Sequence, residues 1–391
     1  MTTNATPLLL LSASEQELRM SKLRKAMERA GADGLLIHSY VNIYYITGRV
    51  FTGYVYIPLS GSPLYFVKRP ISLAHADATA IRKPEQIELP DRPSTLALEL
   101  DTISYSDAQR LSAVFPYAKI VNGSPCLAEA RAVKTPLEVE MIAASGVKQE
   151  RVYRRIPNLY HEGITDIELQ IEIERLSRLE GCLGVFRTAG DTMELFMANV
   201  LAGENADTPT PYDFAMGGGG LDTSIPVGAD GTVIRPGEAV MVDANGNYTG
   251  YMTDMTRTFA PRTLKPLAQR AHDCSIAICR KAEEMGRPGI EASAIYHMAE
   301  EMAREADLYT YFMGHRQKAG FVGHGLGIEI NELPVIAPRS KYILQEGNVI
   351  ALEPKFVIPE VGAVGIENTY VVTADGLKCL TNAPEQIVIF Q

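Results

Sequence analysis

A chain of 391 residues, 46% of them hydrophobic and with charge spread along its length, exceeds what one core usually serves, so two domains are expected. Its net charge of −10 speaks against non-specific nucleic-acid binding and suits a cytoplasmic protein. No apolar run approaches the ~20 residues of a membrane span, and the Leu8 to Leu11 patch lacks the basic flank of a secretory signal.

Residues 15–31 have the spacing of an amphipathic helix, with Leu18, Leu23 and Met27 on the apolar side and Gly31 as the stop. DGLLIHSYVNIYYITG follows as strand, turn and second short element, and SPLYFVKRP as a further strand. Helix and strand signals alternate to about residue 125, which predicts a small α/β domain. A joint follows in AEARAVKTPLEVEMI, where Pro136 sits in the first turn of a long helix. A second helix is expected over Asp166 to Leu179, with Ile167, Ile171 and Leu179 at helical spacing. After Pro209 the chain is rich in Gly, Pro and β-branched residues, apart from a helical stretch at about 264–306. The division expected is 1–130 and 131–391. Five scattered cysteines (Cys126, Cys182, Cys274, Cys279 and Cys379) without C-x-x-C spacing read as reduced thiols, neither a disulfide framework nor a zinc site.

The chemistry begins in MVDANGNYTGYMTDMTRTF, where Asp243 ends one apolar run and Asp254 lies inside another. The segment reads as a hairpin, Asn245, Gly246, Asn247 and Gly250 supplying the turn, with a carboxylate on each arm. Two carboxylates brought together repel unless something positive meets them, and a divalent metal does so. Downstream, His324 lies between glycines in FVGHGLGIEINELP, Glu353 ends an apolar strand before Pro354, and Glu367 opens the next strand in VGIENTYVVT. Four carboxylates and one imidazole favour Mn²⁺, Co²⁺ or Fe²⁺ over a structural zinc. Four negative charges suit two ions better than one.

These segments, in this order and spacing, resemble the pita-bread metallohydrolases: methionine aminopeptidase, aminopeptidase P, prolidase and creatinase. RAVKTPLEVEMI resembles the linker helix of the two-domain prolidase and creatinase branch. The resemblance implies an α/β N-terminal creatinase-like domain and an α+β pita-bread catalytic domain. It implies two divalent ions, Mn²⁺ or Co²⁺ ahead of Fe²⁺ or Zn²⁺, on Asp243, Asp254, His324, Glu353 and Glu367. Asp254 and Glu367 would bridge, and Glu353 would also pass a proton. A homodimer, formed through the N-terminal domain, is implied as well. The partners expected are a peptide or small-molecule substrate, with neither nucleic acid nor membrane.

The substrate set departs from the family's. Where the peptidase branches carry two substrate-contacting histidines this chain has Val227 and Asn331, and Gly365 stands where prolidases tend to carry arginine. Val227, Asn331 and His315 are the candidate substrate-binding positions, with Asn331 also a candidate catalytic donor. His315 also reads as loop or as support for the site, and Gly217 to Gly220 as a flexible loop at its mouth. The leading expectation is an Xaa-Pro dipeptidase or aminopeptidase. Its rivals are a creatinase-like amidinohydrolase, a metal-dependent lyase acting on a small zwitterion, and a non-catalytic binding module.

Overall fold

The computed structural model describes residues 7–75 and 77–391. Two compact units divide the chain, one running through Arg131 and the other spanning Ala132–Gln391. Among the described residues no helix is long and apolar enough to cross a membrane.

In the first unit α1 (Ala13–Ala30) starts where the Ser12 hydroxyl accepts from the Glu15 N–H at 3.2 Å and stops at Gly31, φ 67°. Met20, Leu23 and Met27 are its buried stripe, whereas Leu18 is half exposed. At ~100° per residue Leu18 lies on the side of the helix opposite Met27, so the expected apolar face is corrected by one residue. β1 (Gly34–Ile37), α2 (Tyr40–Thr47), β2 (Thr52–Pro58), β3 (Leu64–Arg69), β4 (Ala78–Ala80), β5 (Thr95–Leu98), α3 (Tyr105–Val114), β6 (Lys119–Asn122) and α4 (Ser124–Ala132) follow. The strands form a mixed sheet of order β4-β3-β2-β1-β5-β6, and helices alternate with them as the α/β pattern predicts.

The second unit opens with α5 (Pro136–Tyr153), whose capping box pairs Thr135 with Glu138, and α6 (Asp166–Leu179). On α6 the buried apolar residues are Leu169, Ile173 and Leu176; Ile171 and Leu179 face outward, against expectation. β7 (Ala198–Ala202), β8 (Val240–Asn247) and β9 (Met252–Ala260) precede α7 (Pro266–Met285) and α8 (Ala292–Glu305). Then come β10 (Gly323–Gly325), β11 (Glu332–Ile336), β12 (Val349–Leu352), β13 (Lys355–Ile358), β14 (Gly362–Gly365), β15 (Asn368–Thr373), β16 (Gly376–Cys379) and β17 (Val388–Ile389). The strands build two sheets, β17-β9-β8-β7 and β11-β10-β12-β15-β16, with β13–β14 as a separate pair. Helices back them: α5 packs on β8 and β9, α6 on β7, α7 on β14 and β16, and α8 on β11.

The hairpin differs from expectation at its tip. Asn245, Gly246 and Asn247 remain in β8, paired with Asp254, Thr253 and Met252, and the chain turns over 248–251. Contacts with the rest of the chain make the extended form the better one. The Asn247 amide donates to Val185 O at 2.7 Å, and a Cβ at 246 would run into the Thr253 side chain.

Candidate metal centre

In β8 and β9 the register sets Asp243 opposite Thr256 and Asn245 opposite Asp254. Side chains alternate along a strand and cross-strand partners share a face, so all four point the same way. Helix α5 fastens this hairpin from behind. Gln149 donates to Ala244 O and accepts from Thr253 Oγ1 at 2.6 Å, while Tyr153 OH accepts from Ala244 N at 3.0 Å and donates to Met255 O. The Asn245 amide, oriented to donate, lies 3.1 and 3.2 Å from the two Asp254 oxygens.

Three further segments bring the remaining groups. Gly323 and Gly325 let β10 lie close between its neighbours, since a Cβ on either would strike backbone of residues 351 or 333. His324 between them directs Nδ1 to Gly325 O at 3.1 Å, which leaves Nε2 as the acceptor nitrogen. Nε2 lies 3.7 Å from Asp254 Oδ2 and 3.6 Å from Glu353 Oε1. Glu353 is held by its N–H donating to Val322 O at 2.9 Å. Glu367 is anchored on β9 by its own N–H to Thr256 O at 3.1 Å and by Thr256 Oγ1 donating to its Oε2 at 2.7 Å. Arg257, fully buried, donates to Glu367 O at 2.8 Å and so fixes the backbone behind the carboxylate.

All five sequence-predicted ligands therefore converge, in two overlapping groups. Asp254, His324 and Glu367 offer ligand atoms within 4.8 Å of one another, and so do Asp243, Glu353 and Glu367. Burial, and then the charges of Glu367, Asp243 and Glu353, push the Asp254 carboxyl well above the usual carboxylate range. Burial and Glu353 push Glu367 up to about 8. Four carboxyl groups packed together in the core call for positive partners.

One residue of this centre escaped the sequence reading. Lys355, fully buried, places Nζ 3.0 Å from Asp243 Oδ2, 2.8 Å from Glu353 Oε2 and 3.0 Å from Glu367 Oε2. Burial works against its charge, but Asp243, Glu353 and Glu367 outweigh it and hold the ammonium well above the ordinary lysine range. The available signal was a lysine opening the apolar run KFVI, two positions after Glu353.

The cluster floors a cavity of about 410 Å³ whose walls include Tyr212, Phe214, Phe321 and Ile330. Of the candidate substrate-binding positions only Asn331 lines it, and both ends of its amide are engaged. Its Oδ1 accepts from Ala189 N at 2.7 Å and its Nδ2 donates to Ala189 O at 2.9 Å. Val227 is buried away from the lining, its N–H turned to Ile225 O. His315 is not a lining residue either; its Nδ1 meets Oδ2 of Asp207, which does line the cavity, at 2.9 Å. Gly217 lines the cavity, but the glycine run is fastened rather than loose. Gly217 O accepts from Gly228 N at 2.7 Å, and Gly219 N donates to Asn205 Oδ1 at 2.8 Å.

Gly365 pairs with Lys355 across β13–β14 at φ 140°. A Cβ there would lie 2.7 Å from Pro354 O and 3.1 Å from Lys355 Cα. Gly365→Arg is therefore expected to destabilise the fold by roughly 1–3 kcal/mol or more rather than restore an arginine contact. A urea-unfolding midpoint equal to wild type would refute this.

Two sheets backed by helices around four carboxylates and an imidazole, following an α/β domain, define a pita-bread hydrolase architecture. The chain belongs to metallopeptidase family M24, which matches residues 140–374, and the Creatinase/Prolidase N-terminal domain matches residues 19–133. It is a hydrolase of the peptidase type. It is similar to the Xaa-Pro dipeptidase of Pyrococcus furiosus, 26% identical over 378 residues covering 95% of this chain and 99% of that protein. Xaa-Pro dipeptidase from Bacillus anthracis has the same fold, with a TM-score of 0.80 at 21% identity over 96% of this chain and 99% of that one. X-Pro aminopeptidase from Thermotoga maritima MSB8 does so too, with a TM-score of 0.77 at 20% identity over 93% and 99%. These findings do not favour the amidinohydrolase, lyase or binding-module readings.

Proposed function

We propose that this chain is a metal-dependent peptidase that cleaves the N-terminal peptide bond of short Xaa-Pro substrates. The observation that carries the reading is the convergence of Asp243, Asp254, His324, Glu353 and Glu367 on the floor of one cavity. Support also comes from Glu367 Oε1, which is buried without a hydrogen-bond partner although Oε2 accepts from both Thr256 and Lys355. An orphaned oxygen on a carboxylate that groups with Asp254 and His324 suits a divalent ion. The oxygen-rich donor set favours Mn²⁺ or Co²⁺. Bound there, the ion would supply Lewis acidity, polarising the scissile carbonyl and acidifying an attacking water.

The chain's own groups account for the remainder. Glu353 keeps Oε1 toward His324 while Lys355 holds Oε2, so Oε1 is the atom that takes a proton and returns it to the leaving amine. Tyr212, Phe214 and Phe321 offer apolar walls to a proline ring and exclude water from the cleft. Asn331, spent on the backbone of Ala189, ties that residue to the cavity wall it lines instead of donating freely to a substrate.

A substrate panel tests this. Ala-Pro, Xaa-Pro tripeptides, methionyl peptides and small zwitterions are compared in one preparation loaded with Mn²⁺ or Co²⁺. Metal-dependent cleavage of Xaa-Pro bonds is expected. On Ala-Pro kcat/KM should lie at or below about 10⁴ M⁻¹s⁻¹, the low end for enzymes, because each absent donor to developing charge costs about 10²–10³ in rate. Turnover confined to the zwitterions would overturn the proposal.

A further inference from the structure

The Lys355 ammonium sits where a second metal ion would have to go. Its three N–H donors meet three carboxylate oxygens at 2.8–3.0 Å, the range of charge-assisted hydrogen bonds, and that exhausts its donors. The same three residues, Asp243, Glu353 and Glu367, make up one of the two candidate metal groups. A divalent ion bound by them at about 2.0–2.2 Å would overlap the nitrogen.

Nor can the side chain easily step aside. Lys355 is wholly buried, its N–H is directed at Met313 Sδ, its carbonyl accepts from Met313 N at 2.9 Å, and it is paired with Gly365. A lysine displaced from these carboxylates would be an unpaired charge in the core. The other group is different. Of Asp254, His324 and Glu367 only Glu367 touches the ammonium, through Oε2, and its other oxygen, Oε1, is buried without a hydrogen-bond partner. With four carboxylates, one ammonium and one divalent ion leave a single negative charge. Two ions beside the ammonium would crowd three cations onto shared oxygens.

We propose that Lys355 replaces one cation of the pair expected for this fold, so that the chain holds a single divalent ion on Asp254, His324 and Glu367 beside a built-in ammonium. This rests on the metal-dependent reading of the site and narrows it. The lysine also fixes Asp243 and the Oε2 side of Glu353, positions that an ion would otherwise hold, and so acts as a positioning residue.

Metal content and spin coupling provide the test. Full-length protein is loaded with Mn²⁺, desalted, and examined by plasma emission and electron paramagnetic resonance. Wild type should carry one Mn²⁺ per chain with an uncoupled six-line spectrum. Lys355→Gly, and independently Lys355→Ala, should gain a second ion and an exchange-coupled spectrum, with circular dichroism confirming that each variant is folded. Two coupled ions in wild type would overturn the lysine inference and leave the metallopeptidase reading standing. One ion in both folded variants would overturn it as well, because the lysine would not be what excludes the second. No bound ion in wild type, with hydrolysis indifferent to added metal, would instead bring down the metal-dependent reading itself.

Discussion

Glu353→Gln is expected to fold, to keep its metal and to lose about 10²–10⁴ of kcat, the range that a positioned general base contributes. The substitution is nearly isosteric, and its amide oxygen can still accept from Lys355, as Glu353 Oε2 does at 2.8 Å. What the amide cannot do is take a proton from water and deliver it to the leaving amine. The loss should therefore fall on kcat and leave KM close to wild type, since the cavity walls that receive the substrate are untouched. Steady-state kinetics on the best Xaa-Pro substrate, with metal content measured on the same samples, decide the matter. A kcat within tenfold of wild type would remove Glu353 from proton transfer.

Asp254→Asn should move two quantities in opposite directions. In the metal-free protein the Asp254 carboxyl is pushed well above the usual range, by burial first and then by Glu367, Asp243 and Glu353. A carboxyl with a raised folded-state pKa contributes its stability below the unfolded value near ~4 and loses it as pH rises through the folded one. Metal-free wild type should accordingly lose stability across that interval. The Asn variant lacks this component and should be the more stable of the two metal-free proteins at neutral pH. With metal the order reverses. Removing an outer partner of a ligand typically costs 10–100-fold in affinity, and removing a charged ligand should cost more than that. Wild type gains about 2.7 kcal/mol at metal concentrations 100-fold above Kd, and the variant should forfeit most of this gain. Urea unfolding with Mn²⁺ and with chelator measures both effects. An undiminished metal-induced shift in the variant would exclude Asp254 as a ligand.

Much of the centre was legible because a buried carboxylate is expensive. Asp243, Asp254, Glu353 and Glu367 each interrupt apolar strand sequence, and such interruptions need a positive partner. His324 between two glycines carried the same message, and the glycines prove to admit close strand packing. Strand periodicity also put Asp243 and Asp254 on one hairpin, although Asn245 to Asn247 extend the strand rather than turn it. Composition there favoured a turn, and pairing with Met252–Asp254 together with side-chain contacts from elsewhere in the chain overrode it.

What the sequence determined by itself, then, is the two-part fold and the identity of five converging groups, because burial and periodicity are written locally. Only the tertiary structure decided which atoms meet. Lys355 Nζ is met by oxygens from β8, from the end of β12 and from the start of β15. Asn331 reads as a free donor until Ala189, far away in sequence, takes both ends of its amide. Val227 reads as a substrate contact until the turn at 225–227 carries it away from the cavity. Side-chain tips are placed by long-range packing to within a fraction of an ångström, and no local pattern of residue types encodes that distance.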